Sequence, residues 1–382
     1  MSSQRRILID GTSLALQMKG VGRYTANTLF ELSTFDETNQ YKILVRKNEF
    51  LPSLPQNERF EYIPISLHNH YRHNWLTLPR MAQQLRADVA WIPSETAVGK
   101  MPCPYTLVCH DVPQFITASQ ALGGARYSRG RNVVAQIDSF FLRGAFQRAQ
   151  IIFANSYFVG AWLHQGLKLS PEKIRYAACA PGADFATLST NTNAESVCVN
   201  LDCPNGYLLA FATGDPRENV ETILAVFNGL TETTKLNLVL AGTRARQADE
   251  IRARIHHEAW HTRVRVLPFF DETEMQQLAD VYASAMVYLD LSLHEGFGMQ
   301  VIEAMACGTP VVCSNRAALP EVAGDAAVLI DPMDRAAAIE QVRRILDEPV
   351  LRETLIARGK RQAAQFTWHR TAQVIHDALS VL

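Results

Sequence analysis

The chain lacks any run approaching 18 consecutive apolar residues, so no membrane-crossing helix is expected. Nor does it open on the apolar core of a secretory signal: Gln4 to Asp10 runs straight into a strand-like Ile7-Leu8-Ile9. A surplus of either charge is missing too, with 37 basic against 38 acidic residues, which removes bulk attraction to nucleic acid as a basis for function. Cysteine is scarce and odd in number. The seven, at 103, 109, 179, 198, 203, 307 and 313, form no Cys-x-x-Cys and have no His companions at metal-binding spacing, so neither a zinc site nor a disulfide framework is supported. Buried free thiols in a cytoplasmic protein are the expectation.

What remains is the composition of an ordinary globular protein, 47% apolar and 20% charged. A length of 382 residues exceeds one ordinary core and suits two domains of roughly 180 residues. In the first half, short apolar runs at Tyr41–Val45, Tyr62–Ile65, Val89–Ile92, Tyr105–Cys109 and Ile151–Ala154 alternate with helical patterns near 75–86 and 132–148. That rhythm predicts a parallel sheet covered on both faces. The half carries no dinucleotide fingerprint. Gly11 to Gly22 reads as a loop before a helix from about Arg23 to Leu32. Its Gly20 and Gly22 would let backbone approach a ligand, although a plain loop-to-helix turn explains them equally. His110-Asp111 ends the Tyr105–Cys109 strand, where ligands gather in open α/β sheets, or where a polar pair merely caps the strand.

Residues 187–205 are rich in Ser, Thr and Asn and lack periodicity, so they are read as the linker between a domain at 1–186 and one at 206–365, with a final helix at 366–382. Two further stretches invite a function and have a plainer account. His68, His70 and His73 lack a metal ligand set and read as a solvated loop. Residues 124–148 interleave Arg126, Arg129, Arg131, Arg143 and Arg148 with Tyr127, Phe140, Phe141 and Phe146; this suits either a membrane-surface contact or an amphipathic helix with a wet arginine face.

The densest information lies between 286 and 331. Val287–Leu291 reads as a buried strand, Glu295-Gly-Phe-Gly298 as a tight turn, and Met299–Ala306 as a helix stopped by Gly308 and Pro310. A strand feeding a glycine turn into a helix N-terminus presents free N–H groups and a positive dipole end to an anion. Glu295 and Glu303 bracket it. Were all eight steps helical, they would stand about 12 Å apart, beyond the roughly 5–9.5 Å of paired glycosidase carboxylates, so they are given separate tasks.

Glu295-Gly-Phe-Gly, Glu303-Ala-Met-Ala-Cys-Gly-Thr-Pro-Val-Val, Leu319-Pro-Glu-Val, Gly324-Asp-Ala-Ala and Asp331-Pro together resemble the nucleotide-sugar domain of family-4 retaining glycosyltransferases. The resemblance implies two Rossmann-like doubly wound α/β domains facing across a cleft, the GT-B arrangement, with the final helix returning to the first domain. It implies transfer of a hexose, mannose-like favoured, from a nucleotide-diphosphate sugar to a hydroxyl of a glycan or lipid-linked acceptor in cell-surface polysaccharide synthesis. Glu303 would then hold the ribose, Gly296, Phe297, Gly298 and Met299 the diphosphate and sugar, and Glu295 and His110 the sugar. Gly20, Gly22, Gly214, Arg244 and Phe269 would complete donor binding, with no metal and no cofactor beyond the donor.

One segment departs from the family pattern. Where these enzymes commonly read Gly-x-x-x-Pro-Arg-Lys-Asn, this chain reads Gly214-Asp-Pro-Arg217-Glu218-Asn219, and Ala212 stands about where an earlier arginine is expected. Arg217, Arg244 or Arg246 could serve as the substitute cation for the leaving charge, or each is a plain surface arginine. The departure also motivates a second reading, a catalytically weak nucleotide-sugar-binding subunit supporting a partner enzyme. A pyridoxal-phosphate phosphorylase finds no matching lysine site.

Overall fold

The structure is a computed structural model that describes residues 4–14, 20–47, 54–67, 69–112, 129–182 and 185–382, without side chains for 129–138. Two compact units divide the chain: one runs to Cys179 and takes back Thr367–Leu382, the other runs from Ala180 to Phe366. The division thus falls earlier than the 187–205 stretch. Those residues are not a free tether, since they contain the helix Ala194–Asn200 and set Leu188, Cys198 and Leu201 against the core of the second unit. Their hydroxyls explain the missing periodicity, because Ser, Thr and Asn here serve short turns and caps: Asn193 caps that helix by accepting from the Ser196 N–H at 3.0 Å.

Among the described residues the first unit holds seven parallel strands, β1 (Arg6–Asp10), β2 (Gln40–Arg46), β3 (Phe60–Ile65), β4 (Val89–Ile92), β5 (Tyr105–Cys109), β6 (Ile151–Ala154) and β7 (Ile174–Tyr176), in the order 3-2-1-4-5-6-7. β1, β4, β5 and β6 are apolar and buried nearly throughout, as strands covered on both faces must be. β7, short and half exposed, is an edge strand with no apolar run to announce it. The order reverses between β1 and β4, which makes their carboxyl ends the switch point where such sheets bind ligands. The helix Trp368–Val381 packs on the helix Gly20–Phe35, and Thr371 donates to the Ala178 carbonyl at 2.5 Å.

The described residues of the second unit form six parallel strands, β8 (Tyr207–Phe211), β9 (Asn237–Thr243), β10 (Val264–Pro268), β11 (Val287–Asp290), β12 (Val311–Ser314) and β13 (Val328–Ile330), in the order 10-9-8-11-12-13. Its switch point lies between β8 and β11. Each sheet therefore has the doubly wound Rossmann-like topology expected. Helices Val220–Leu230 and Arg335–Asp347 cover one face, through Ile223, Phe227, Val342 and Ile345; helices Met275–Ala283 and Met299–Ala306 cover the other, through Leu278, Tyr282, Val301 and Met305. All seven cysteines are free.

Candidate functional site

At the β8/β11 switch point the chain leaves β11 at Asp290 and reaches the helix Met299–Ala306 through Gly296-Phe-Gly298. Gly298 is the N-cap at φ 100°, ψ 56°, and a Cβ there would lie 2.4 Å from Leu319 Cδ2, so only glycine fits both the backbone and the space. Phe297 is buried and meets Phe366 edge to face at 5.5 Å. The turn is thus rigid, and it aims the first N–H groups of the helix, which have no intrahelical acceptor, along the switch-point edge.

Only the last four of the eight steps from Glu295 to Glu303 are helical, so the about 12 Å separation does not follow; four helical steps rise about 6 Å. The two carboxylates nonetheless occupy different surroundings. Glu303 is 2% exposed and accepts from the Tyr282 hydroxyl at 2.9 Å. Glu295, half-buried, lines a small pocket with Phe211, Glu218, Tyr288, Asp290 and Gln300.

That pocket is acidic. Glu218, in the place of the expected lysine, accepts from Thr213 through both oxygens, from its N–H at 2.8 Å and its hydroxyl at 2.6 Å. Burial, aided by the charges of Asp215 and Asp290, pushes the Glu218 carboxyl above its ordinary value against those two bonds. Asp290 is raised as well, by burial, although it accepts from the Ser292 N–H at 3.1 Å and the Tyr288 hydroxyl at 3.3 Å. Asp290 received no role from the sequence. Its signal was available: it is the acid at the carboxyl end of the strand that opens the densest motif.

The three arginines expected as substitute cations are placed unequally. Arg217 holds Asp215 by Nε and Nη2 at 3.1 and 2.7 Å, and Asp215 falls below its ordinary value because those bonds outweigh burial. Ala212 packs into the core beneath the sheet, so the position of the earlier arginine has become apolar filling. Arg244 is exposed at the end of β9, whereas Arg246 pairs with Glu250 in solvent. The 213–219 loop is nevertheless pinned to the glycine turn's own strand: the Leu293 N–H donates to the Arg217 carbonyl at 2.7 Å and Asn219 Nδ2 to the Leu291 carbonyl at 3.1 Å. Gly214, at φ 92°, faces Gln247 of the helix Ala245–Ile255, where a Cβ would meet Cγ at 2.5 Å. Phe269 follows β10 and spends its N–H on the Thr243 carbonyl at 3.1 Å, which leaves that amide unavailable to a base.

In the first unit, Gly20 and Gly22 are not in a loop; they form the first turn of the helix Gly20–Phe35, because residues without Cβ there leave the opening N–H groups uncovered rather than breaking the helix. His110 stands at the end of β5 with Nε2 2.9 Å from the Pro93 carbonyl, an acceptor only, so Nε2 donates there. Its ring meets Tyr24 edge to face at 4.9 Å, and Asn155 Nδ2 donates to its carbonyl at 2.8 Å. Glu95 accepts from the backbone N–H of both His110 and Asp111.

His73 is also not solvated. It lies on a π-helical turn, His73–Thr77, buried, with Nε2 3.2 Å from Asp10 Oδ2 at the carboxyl end of β1. Burial raises the Asp10 carboxyl, but the His73 bond and charge and two bonds from Thr12 outweigh it, and the net shift is downward. His70 is exposed and His68 lies outside the described residues. Among the described residues no cluster of three or more His, Cys, Asp or Glu is placed to hold a metal. Of the basic–aromatic stretch 124–148, Arg126 and Tyr127 lie outside the described residues.

Two doubly wound units, with a glycine-turned helix N-terminus at the switch point of the second, define a Rossmann-like α/β protein. Residues 202–362, most of the second unit, match the family model for glycosyl transferases group 1. An O-antigen chain mannosyltransferase B of Escherichia coli is 37% identical over 177 residues, covering 45% of this chain and 45% of the relative. A serotype-specific mannosyltransferase WbdA of Escherichia coli is 25% identical over 309 residues, 76% of this chain but 34% of the relative. The chain thus spans less than half the length of these curated relatives. Anabaena HepE, solved in complex with UDP, superposes with a TM-score of 0.75 at 15% identity over 99% of this chain and all of that one, which shows a shared fold.

Proposed function

We propose that the protein is a retaining glycosyltransferase of the family-4 type. It would move a hexose, mannose-like favoured, from a nucleotide-diphosphate sugar to a hydroxyl of a glycan or lipid-linked acceptor in cell-surface polysaccharide synthesis. The observation that carries this reading is the Gly296–Gly298 turn into the helix Met299–Ala306 at the β8/β11 switch point, an arrangement whose N–H dipoles favour an anion. The mannosyltransferase relatives favour the sugar.

In this reading the amides of Phe297, Gly298 and Met299 hold the diphosphate and Glu303 the ribose. Glu295 and, from the first unit, His110 address the sugar. The bond from the anomeric carbon to the diphosphate oxygen breaks as the acceptor oxygen bonds to the same face. The departing phosphate oxygen takes the acceptor's proton, so the new linkage keeps the configuration of the old and no protein nucleophile is needed. Arg217 must exchange Asp215 for the departing phosphate. An ion pair partly exposed to water costs little to exchange, about 0–1 kcal/mol.

The acidic pocket supports a second reading. With Glu218 in the place of the expected lysine and Asp290 and Glu295 lining the same pocket, the chain would bind a nucleotide sugar and turn it over weakly, in support of a partner enzyme. Release of nucleoside diphosphate from GDP- and UDP-sugars, with and without mannose oligosaccharides, separates the two. Transfer predicts release that acceptor accelerates; tight binding without release points to the second reading.

A further inference from the structure

We infer that the first unit docks on an anionic lipid bilayer through an apolar patch built from the π-helical turn His73–Thr77 and the helix Arg129–Arg148. The patch goes beyond the transfer reading and stands on its own observations. Phe140 is 72% exposed, Leu76 64%, Tyr71 56%, Phe141 41% and Trp75 39%. Single exposed apolar side chains are ordinary on any surface. These are joined: Trp75 meets Phe141 edge to face at 5.1 Å, and Phe141 meets Phe140 at 5.6 Å, so the two elements share one continuous face.

The patch is held outward. A π turn widens the helix by one residue and is uncommon outside functional positions. Here its first two residues point inward, His73 to Asp10 at 3.2 Å and Asn74 Nδ2 to the Thr96 hydroxyl at 2.8 Å. Gly99 passes beneath the next residue, where a Cβ would stand 2.8 Å from the Trp75 carbonyl oxygen. With its root fixed on three sides, the turn presents Trp75 and Leu76 to solvent already ordered, so little conformational entropy is lost when they are covered.

Charge selects the occupant. Residues 69–86 carry Arg72, Arg80 and Arg86 and no Asp or Glu, and the helix Arg129–Arg148 carries Arg129, Arg131, Arg143 and Arg148 against one acid, Asp138, in a chain that is otherwise balanced. Arg72 and Arg80 are exposed. Two copies meeting through this face would set arginine against arginine, which disfavours self-association. Aromatic rings rimmed by arginine match the headgroup layer of a bilayer bearing negative lipids, where rings sit at the interface and each basic group adds attraction. Among the described residues no helix is long and apolar enough to cross a membrane, so the contact lies on the surface.

The test is sedimentation of the full chain with vesicles of phosphatidylcholine containing phosphatidylglycerol, against vesicles of phosphatidylcholine alone, with no donor or acceptor present. Its outcome is therefore independent of whether the protein transfers sugar. Binding is expected to the anionic vesicles, to weaken as salt rises, and to fall about tenfold with Phe140→Ser and further with Trp75→Ser added. Phe30→Ser, at an exposed ring outside the patch, controls for surface changes and should leave binding unaltered. Equal pelleting of the native chain and the double variant, or pelleting with neither vesicle, overturns the inference. So does a dimer in sedimentation velocity that the patch substitutions abolish while vesicles bind nothing.

Discussion

Replacing Gly298 by alanine tests the physical basis of the glycine turn. At φ 100° an L-residue is strained by about 1–3 kcal/mol. The new Cβ would also stand 2.4 Å from Leu319 Cδ2, a side chain with no exposed surface and no free direction to move, and such overpacking costs about 1–3 kcal/mol more. The expected loss is therefore about 2–6 kcal/mol, a large share of the stability of an ordinary domain. Denaturant titration of the native chain, Gly298→Ala, Leu319→Ala and the double variant measures it. Leu319→Ala alone should cost about 2–5 kcal/mol for the cavity it opens. In the double variant the added methyl enters that cavity, so the combined loss should fall short of the two single losses together by at least about 1 kcal/mol. Strictly additive losses, or a Gly298→Ala loss below about 0.5 kcal/mol, would show that the turn is not confined as described.

Three further outcomes are expected. Glu218→Lys restores the cation that the family pattern has here, and should tighten nucleotide-sugar affinity about tenfold by calorimetry, since a hydrogen bond to a charged group contributes about 1.5–3 kcal/mol; unchanged or weaker affinity would separate this pocket from the diphosphate. Because the folded Glu218 carboxyl is raised, its protonated state contributes stability that is present below the ordinary carboxylate value and lost as pH rises through the folded one. Glu218→Gln should therefore gain on the native chain near neutral pH and not in acid, a difference that parallel thermal melts would reveal. His73→Ala leaves the Asp10 carboxylate buried without its partner and should destabilise by about 3–5 kcal/mol in urea titration, with the Asp10 contribution present above the ordinary carboxylate value and lost as pH falls through the lowered one.

Much of the fold was legible because its strands are both-face-buried apolar runs. β4, β5 and β6 coincide with the apolar stretches that announced them, and the helix Met299–Ala306 begins and ends at its glycine signals. β7 escaped notice because an edge strand of three half-exposed residues has no period to read. The start of the helix Gly20–Phe35 was misplaced because glycine signals a loop only where the backbone needs positive φ. His73 showed the limit of local patterns: Asp10, the partner that buries it, is 63 residues away. At the candidate site the glycine turn and its two glutamates were readable. The acidity of the pocket was not, since it comes from Asp290 and Glu218 meeting at a switch point that only the strand order reveals.

The most direct test of sugar transfer is the product itself. Incubated with GDP-mannose or the tightest-binding nucleotide sugar and mannose oligosaccharides, the protein should release nucleoside diphosphate faster with acceptor than without. Proton NMR of the product should show the donor's anomeric configuration retained, and Glu303→Ala should abolish binding of the donor. An inverted anomeric centre, donor affinity unaffected by Glu303→Ala, or a tightly bound donor that no acceptor discharges would contradict the account.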